Sequence, residues 1–230
     1  MSSFFTRTAL VILLLSLISC GNSDEASVFK PGRTWFYDVE ITDSLNTVVD
    51  TFTLIMSCRE SSLFEKIIRP ITVCYEYKKS NTTMDNECTG VIDNSNEISL
   101  HPPRRNVLEF TEVLPFPRVS KPIGNGFTSS IDLNIQKASY WDKGKNKTIN
   151  LAGKKIKQEL SSADFDTTRI AFETENLLCY KSEGKNLNYV DELGQFSVSY
   201  FFNEKYGYVK WIYLTPWEET VTISLRKVDF

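Results

Sequence analysis

Apolar and polar residues alternate with a period of two through most of this chain. Trp35, Tyr37, Val39 and Ile41 alternate with Phe36, Asp38 and Glu40, so Thr34–Ile41 reads as a half-buried strand following the Pro31-Gly32 breaker. Asp43–Asn46 reads as a turn and Val48–Ser57 as the return strand, with Phe52, Leu54 and Met56 on one face. Ile71, Val73, Tyr75 and Tyr77 repeat the pattern, and Ile98 with Leu100 closes a short strand. Phe127, Ile131, Leu133 and Ile135 share a face, and Trp141 precedes a turn at Asp142–Asn146. Two polar strands follow at Lys147–Leu151 and Lys154–Leu160, then strand-like stretches at Arg169–Glu175 and Leu177–Lys181. Ser80–Asn86 and Glu183-Gly184-Lys185 read as turns. Phe196–Phe202, Val209–Tyr213 and Val221–Leu225 are joined by short turns and predict a C-terminal meander.

No sustained 3.6-residue pattern interrupts this. The expectation is an all-β domain, a curved antiparallel sheet closed into a partial barrel or half-barrel, with a two-sheet sandwich as the alternative. Residues 101–126 differ, because five of the eight prolines fall there: Pro102, Pro103, Pro115, Pro117 and Pro122. Proline cannot donate to a ladder, so an extended edge or a crossover is expected. Val107, Leu108, Phe110, Val113, Leu114 and Phe116 argue that this segment packs on the domain.

The first 19 residues depart from the strand pattern. They carry one charge, Arg7, and then the apolar run Ala9–Ile18. A charged start, a short apolar run and small residues make a secretory signal peptide, and ten apolar residues are too few to span a bilayer. Without this segment the chain has 211 residues, with 25 Lys+Arg against 29 Asp+Glu. That mildly acidic balance, without a long basic run, argues against nucleic acid as a partner. A single histidine excludes multi-histidine metal sites, and no cofactor motif is present.

Leu17-Ile18-Ser19-Cys20 resembles the bacterial lipobox, in which a signal peptidase cuts before the cysteine. The resemblance implies a thioether-linked diacylglycerol on Cys20 and an acyl group on its new amine. Three chains would anchor the protein to a membrane, since each buried methylene contributes about 0.8 kcal/mol. The organisation expected is a signal peptide at 1–19, a lipidated tether at 20–28 and one β domain at 29–230. No Asp follows Cys20, so the inner-membrane retention signal is missing and an outer-membrane location is implied, on its periplasmic face or at the cell surface. Ser23-Asp24-Glu25 resembles an acidic surface-export tether of some Gram-negative lipoproteins and otherwise reads as a flexible linker.

Cys58, Cys74, Cys88 and Cys179 remain in the mature chain, and an even number in an exported protein permits two disulfides. Cys74 and Cys88 are symmetric about Asn81, which favours Cys74–Cys88 across a hairpin, with Cys58–Cys179 as the second pair. Cys58 with Cys74 about Lys66, and four reduced thiols, are the alternatives.

The catalytic inventory is thin. His101 is the only ready base near neutral pH, and no Gly-x-Ser-x-Gly elbow accompanies it. Asp164 with Asp166, Asp191 with Glu192, and Glu218 with Glu219 are carboxylate pairs in loops, the minimum for a glycoside hydrolase. Asp93–Glu97 starts like a calcium loop but lacks its glycine and its final glutamate, so an oxygen-rich turn is expected. Tyr206, Tyr208, Trp211, Tyr213 and Trp217 crowd the last hairpins. They are the candidate aromatic surface for a lipid or glycan, or else core, with Trp211 and Tyr213 on one face and Tyr208 on the other.

Two further blocks carry a resemblance. Phe29-Lys30-Pro31-Gly32-Arg33-Thr34-Trp35-Phe36-Tyr37 resembles the opening strand of hypothetical Gram-negative envelope lipoproteins. Leu100–Arg104, Pro115-Phe116-Pro117 and Phe202–Trp211 are similar to later blocks of such proteins. The resemblance implies a membrane-anchored envelope lipoprotein and transfers no active-site residue. The expectation is a non-enzymatic binding or accessory protein for a lipid, glycan or protein partner. A carboxylate-dependent hydrolase and a structural subunit of an envelope complex are the alternatives.

Overall fold

The computed structural model describes residues 27–60, 71–135, 139–142 (by their backbone), 146–187 and 194–230. Residues 1–19, expected to be a signal peptide, Cys20, and the pair Asp191 and Glu192 lie outside the described residues. The described residues form fifteen strands: β1 (Thr34–Thr42), β2 (Val48–Arg59), β3 (Ile71–Lys79), β4 (Thr82–Asp93), β5 (Glu97–Leu100), β6 (Arg118–Ser120), β7 (Phe127–Asn134), β8 (Ser139–Asp142), β9 (Lys147–Asn150), β10 (Lys155–Ser162), β11 (Thr167–Phe172), β12 (Glu175–Asn186), β13 (Ser197–Asn203), β14 (Gly207–Leu214) and β15 (Thr220–Asp229).

Twelve of them form one antiparallel sheet in the order β6-β5-β4-β3-β2-β1-β15-β14-β13-β12-β10-β7, with β11 continuing beside β12 and β8–β9 standing apart as a hairpin. The sheet curls into a nearly closed barrel, as the period-two pattern predicts. Its inner face is aromatic: Trp35, Tyr37, Tyr75, Tyr77, Tyr208, Trp211 and Tyr213 are all fully buried. These rings displace a large apolar area from water, and their polar tips need partners. Trp35 Nε1 donates to the Tyr206 carbonyl at 2.7 Å, Tyr37 Oη to the Tyr208 carbonyl at 2.9 Å, and Tyr75 Oη to the His101 carbonyl at 2.7 Å.

The proline-rich segment is the main element the pattern left open. Asn106–Val113 forms a 3-10 turn whose Leu108, Phe110 and Val113 are buried. Phe110 stacks on Phe196 at 5.6 Å and meets Tyr213 edge-on at 5.5 Å. The segment thus plugs the end of the barrel that also carries the β1–β2 and β14–β15 turns. The opposite end is filled by Val28 and Phe29, both core residues. The folded body therefore includes Val28, which the expected tether at 20–28 had counted outside it.

Two predicted turns are corrected. The turn expected over Ser80–Asn86 is only Ser80 and Asn81, at φ 49° and 65°, the left-handed pair a two-residue hairpin needs. Thr82–Asp93 is strand, hidden in the sequence because most of its residues face solvent and are polar. Glu183-Gly184-Lys185 lies within β12, where Gly184 faces the interior. A Cβ there would stand 2.4 Å from Pro115 Cγ, so the glycine makes room for the plug.

Candidate functional site

The sheet does not close by strand pairing. Between its two ends, β6 and β7, no ladder forms among the described residues. The residues leading into β6 are Pro115-Phe116-Pro117, and the two prolines have no N–H to offer a neighbour. The ends instead overlap and leave a groove of about 190 Å³. One wall is Glu97, Ser99 and Arg118, which alternate along β5 and β6 with the core residues Ile98, Leu100 and Val119. The other is Ser129, Ile131 and Leu133 of β7 with Gln158 and Leu160 of β10, and Pro115 and Phe116 line it as well.

Five of the ten lining residues are apolar, and the polar side chains of Glu97, Arg118 and Gln158 have protein partners. Arg118 Nε lies 2.6 Å from Glu97 Oε2, and the guanidinium sits 5.4 Å from the centre of the Phe127 ring across the overlap. Gln158 is buried and its Nε2 donates to the Glu112 carbonyl at 3.4 Å. Burial in turn raises the Glu112 carboxyl above its usual range. Ile131 is 52% exposed although it lies on the core-facing side of its strand, because nothing among the described residues covers it there.

The first described residue, Ser27, joins the fold beside this overlap. Ser27 Oγ hydrogen-bonds Asp93 Oδ2, and Asp93 pairs with Lys121, the residue after β6. Asn94 Oδ1 accepts from the backbone N–H of Asn96 and Glu97 at 2.8 and 3.0 Å. The oxygen-rich stretch is thus a turn, and no group of acidic, histidine or cysteine side chains among the described residues suits a metal ion.

The other sequence candidates go to structural tasks. The five aromatics do not form a surface. Tyr206, Tyr208, Trp211 and Tyr213 are buried in the barrel and Trp217 packs edge-on against Phe196 at 5.5 Å. Tyr208 shares the inner face with Trp211 because the register shifts between Phe201 and Phe202, so that Phe202 pairs with Tyr208 and Val209 is the extra residue. Cys74 and Cys88 are directly opposed on β3 and β4 and form the expected disulfide. Cys58 and Cys179 are free and buried, so their expected pairing is not made; they lie on β2 and β12, with three further strands separating β1 from β12 along the sheet. Burial pushes the Cys58 thiol up to about 12 and that of Cys179 to about 11.

His101 packs its ring 4.0 Å from that of Phe116 at the foot of the plug. Asp164 Oδ1 accepts from the Gly126 N–H at 2.7 Å, and Glu219 Oε2 accepts from Trp217 Nε1 at 2.7 Å. These carboxylates hold turns. The groove residues Phe116, Arg118, Ile131, Leu133 and Gln158 were not singled out as a site by the sequence. Its available signal was the pair of prolines flanking Phe116.

No family model matches the chain, and no curated protein matches it. Among solved structures, the chain is similar to a protein from Bacteroides fragilis described as exported and of YmcC-like fold, at 9% identity and a TM-score of 0.45, over 87% of this chain and 97% of that one. It is similar to a protein from Parabacteroides distasonis described as a lipoprotein, at 10% identity and a TM-score of 0.45, over 87% and 96% of the two chains. The hypothetical lipoprotein YmcC of Escherichia coli matches at 9% identity and a TM-score of 0.38, over 94% of each chain.

Proposed function

We propose that this protein is a lipid-anchored accessory protein of the Gram-negative cell envelope, held at the outer membrane through Cys20 and acting by binding instead of catalysis. The observation that carries the anchoring is the spacing of Leu17-Ile18-Ser19-Cys20. It ends an apolar run and stands seven residues before Ser27, where the folded body begins. The Cys74–Cys88 disulfide fits an oxidising compartment. The binding role rests on the overlap groove, where apolar surface stays open beside a barrel packed with its own side chains. At about 190 Å³ the groove is smaller than the roughly 300–1,000 Å³ of a pocket that swallows a whole ligand. It suits one apolar segment of a larger partner.

Metabolic labelling with an alkyne fatty acid tests the anchor. The wild-type protein takes up label and fractionates with the outer membrane, and the C20A variant does neither. An unlabelled wild-type protein overturns the proposal.

A further inference from the structure

We infer that the overlap groove receives an acyl chain of a phospholipid from the bilayer to which the protein is tethered. This rests on the anchoring proposed above and names the ligand for the same groove. The first argument is position. Cys20 and Ser27 are seven residues apart, a reach of at most about 25 Å even when the chain is fully extended. Ser27 is fixed to Asp93, and Asp93 to Lys121, three residues from Arg118 at the groove. The tether therefore holds the overlap, and not the plugged far end, next to the lipid.

The second argument is chemistry. Pro115, Phe116, Ile131, Leu133 and Leu160 supply an apolar wall, and Ser99 and Ser129 are small. Two of the polar side chains are turned to protein neighbours, Arg118 Nε toward Glu97 Oε2 and Gln158 Nε2 toward the Glu112 carbonyl, and that Arg118–Glu97 pair is the only charge in the lining. A volume of about 190 Å³ takes roughly six or seven methylene groups at interior packing density, a part of one chain. The charged pair stands at the tether side, so the chain would lie with its head end at Glu97 and Arg118 and run toward Leu133. Leu133 pairs with Ile156 farther along β7 and β10.

The test uses the full mature protein on phosphatidylcholine vesicles that contain a phospholipid with a diazirine on one acyl chain. Where mass spectrometry finds Cys20 unacylated, the thiol is coupled to a maleimide-headgroup lipid, so a failed anchor is seen separately and the groove is still tested. Irradiation is expected to attach lipid to peptides spanning 115–118 and 129–133. I131D, at an exposed position, and S129W, which fills the groove, are expected to remove this labelling while thermal unfolding and vesicle binding are kept. Absence of label in those peptides, or label unchanged in both variants, overturns the inference. Label from a photoreactive fatty acid on Cys20, with none from the vesicle lipid, also overturns it and assigns the groove to the protein's own anchor.

Discussion

Gly184 lies beneath Pro115 so closely that a Cβ at position 184 would come within 2.4 Å of the proline Cγ and 3.1 Å of Leu160 Cδ1. The contact presses the plug onto β12, and Tyr200 secures it from the next strand by donating to the Pro115 carbonyl at 2.7 Å. G184A is therefore expected to lower stability by about 1–3 kcal/mol through overpacking. A urea unfolding series reads this as a lower midpoint with an unchanged slope.

The buried tyrosines are not equivalent. Y200F leaves the Pro115 carbonyl without its donor in the interior, at a cost of about 1–3 kcal/mol. Tyr208 Oη has no protein partner among the described residues, so Y208F is expected to be neutral or stabilising. A lower melting temperature for Y200F and an unchanged or higher one for Y208F check the assignment.

The Cys74–Cys88 bridge spans 14 residues, and in the chain-entropy account a loop of that size is worth about 3 kcal/mol. Dithiothreitol is expected to lower the melting temperature of the wild-type protein. The C74S/C88S variant should melt at that lower temperature with or without reductant. C58A should retain the full response, since Cys58 is a free thiol.

Alkaline pH should unfold the barrel. Unfolded cysteine and tyrosine lose their protons near about 8.5 and 10. In the folded protein burial raises the Cys58 thiol to about 12 and that of Cys179 to about 11, and it holds Tyr37, Tyr75, Tyr200 and Tyr208 well above the usual tyrosine value. Between the unfolded and folded values the unfolded state binds fewer protons, so stability is full below about pH 8.5 and falls as pH rises. Each such group contributes a loss of up to about 1.4 kcal/mol per pH unit. The buried tyrosines' share of the tyrosinate absorbance should appear together with loss of the β circular-dichroism signal, following any rise from the half-buried Tyr180.

Much of this architecture was legible in the chain. Trp35–Ile41, Phe52–Met56 and the last three strands declare themselves because each buries one face and wets the other, and alternation records that directly. Cys74 and Cys88 could be paired because they flank a local turn. Thr82–Asp93 was obscured because its apolar face is short, and Gly184 misled because a glycine demanded by a neighbour's approach looks the same as one demanded by a turn.

From its residues alone, this protein reads as a one-face-apolar, strand-rich chain with few proton-transfer groups, whose first twenty residues carry the pattern expected of an export signal and an acylated cysteine. Local spacing carries those properties. Only the tertiary structure decided that the crowded C-terminal rings are core, that Cys58 and Cys179 stay apart, and that the sheet ends overlap around Arg118 and Ile131. Those outcomes depend on which distant strands become neighbours and on how far the sheet curls, and period-two alternation is the same whether a strand ends up central, at an edge or lapped over another.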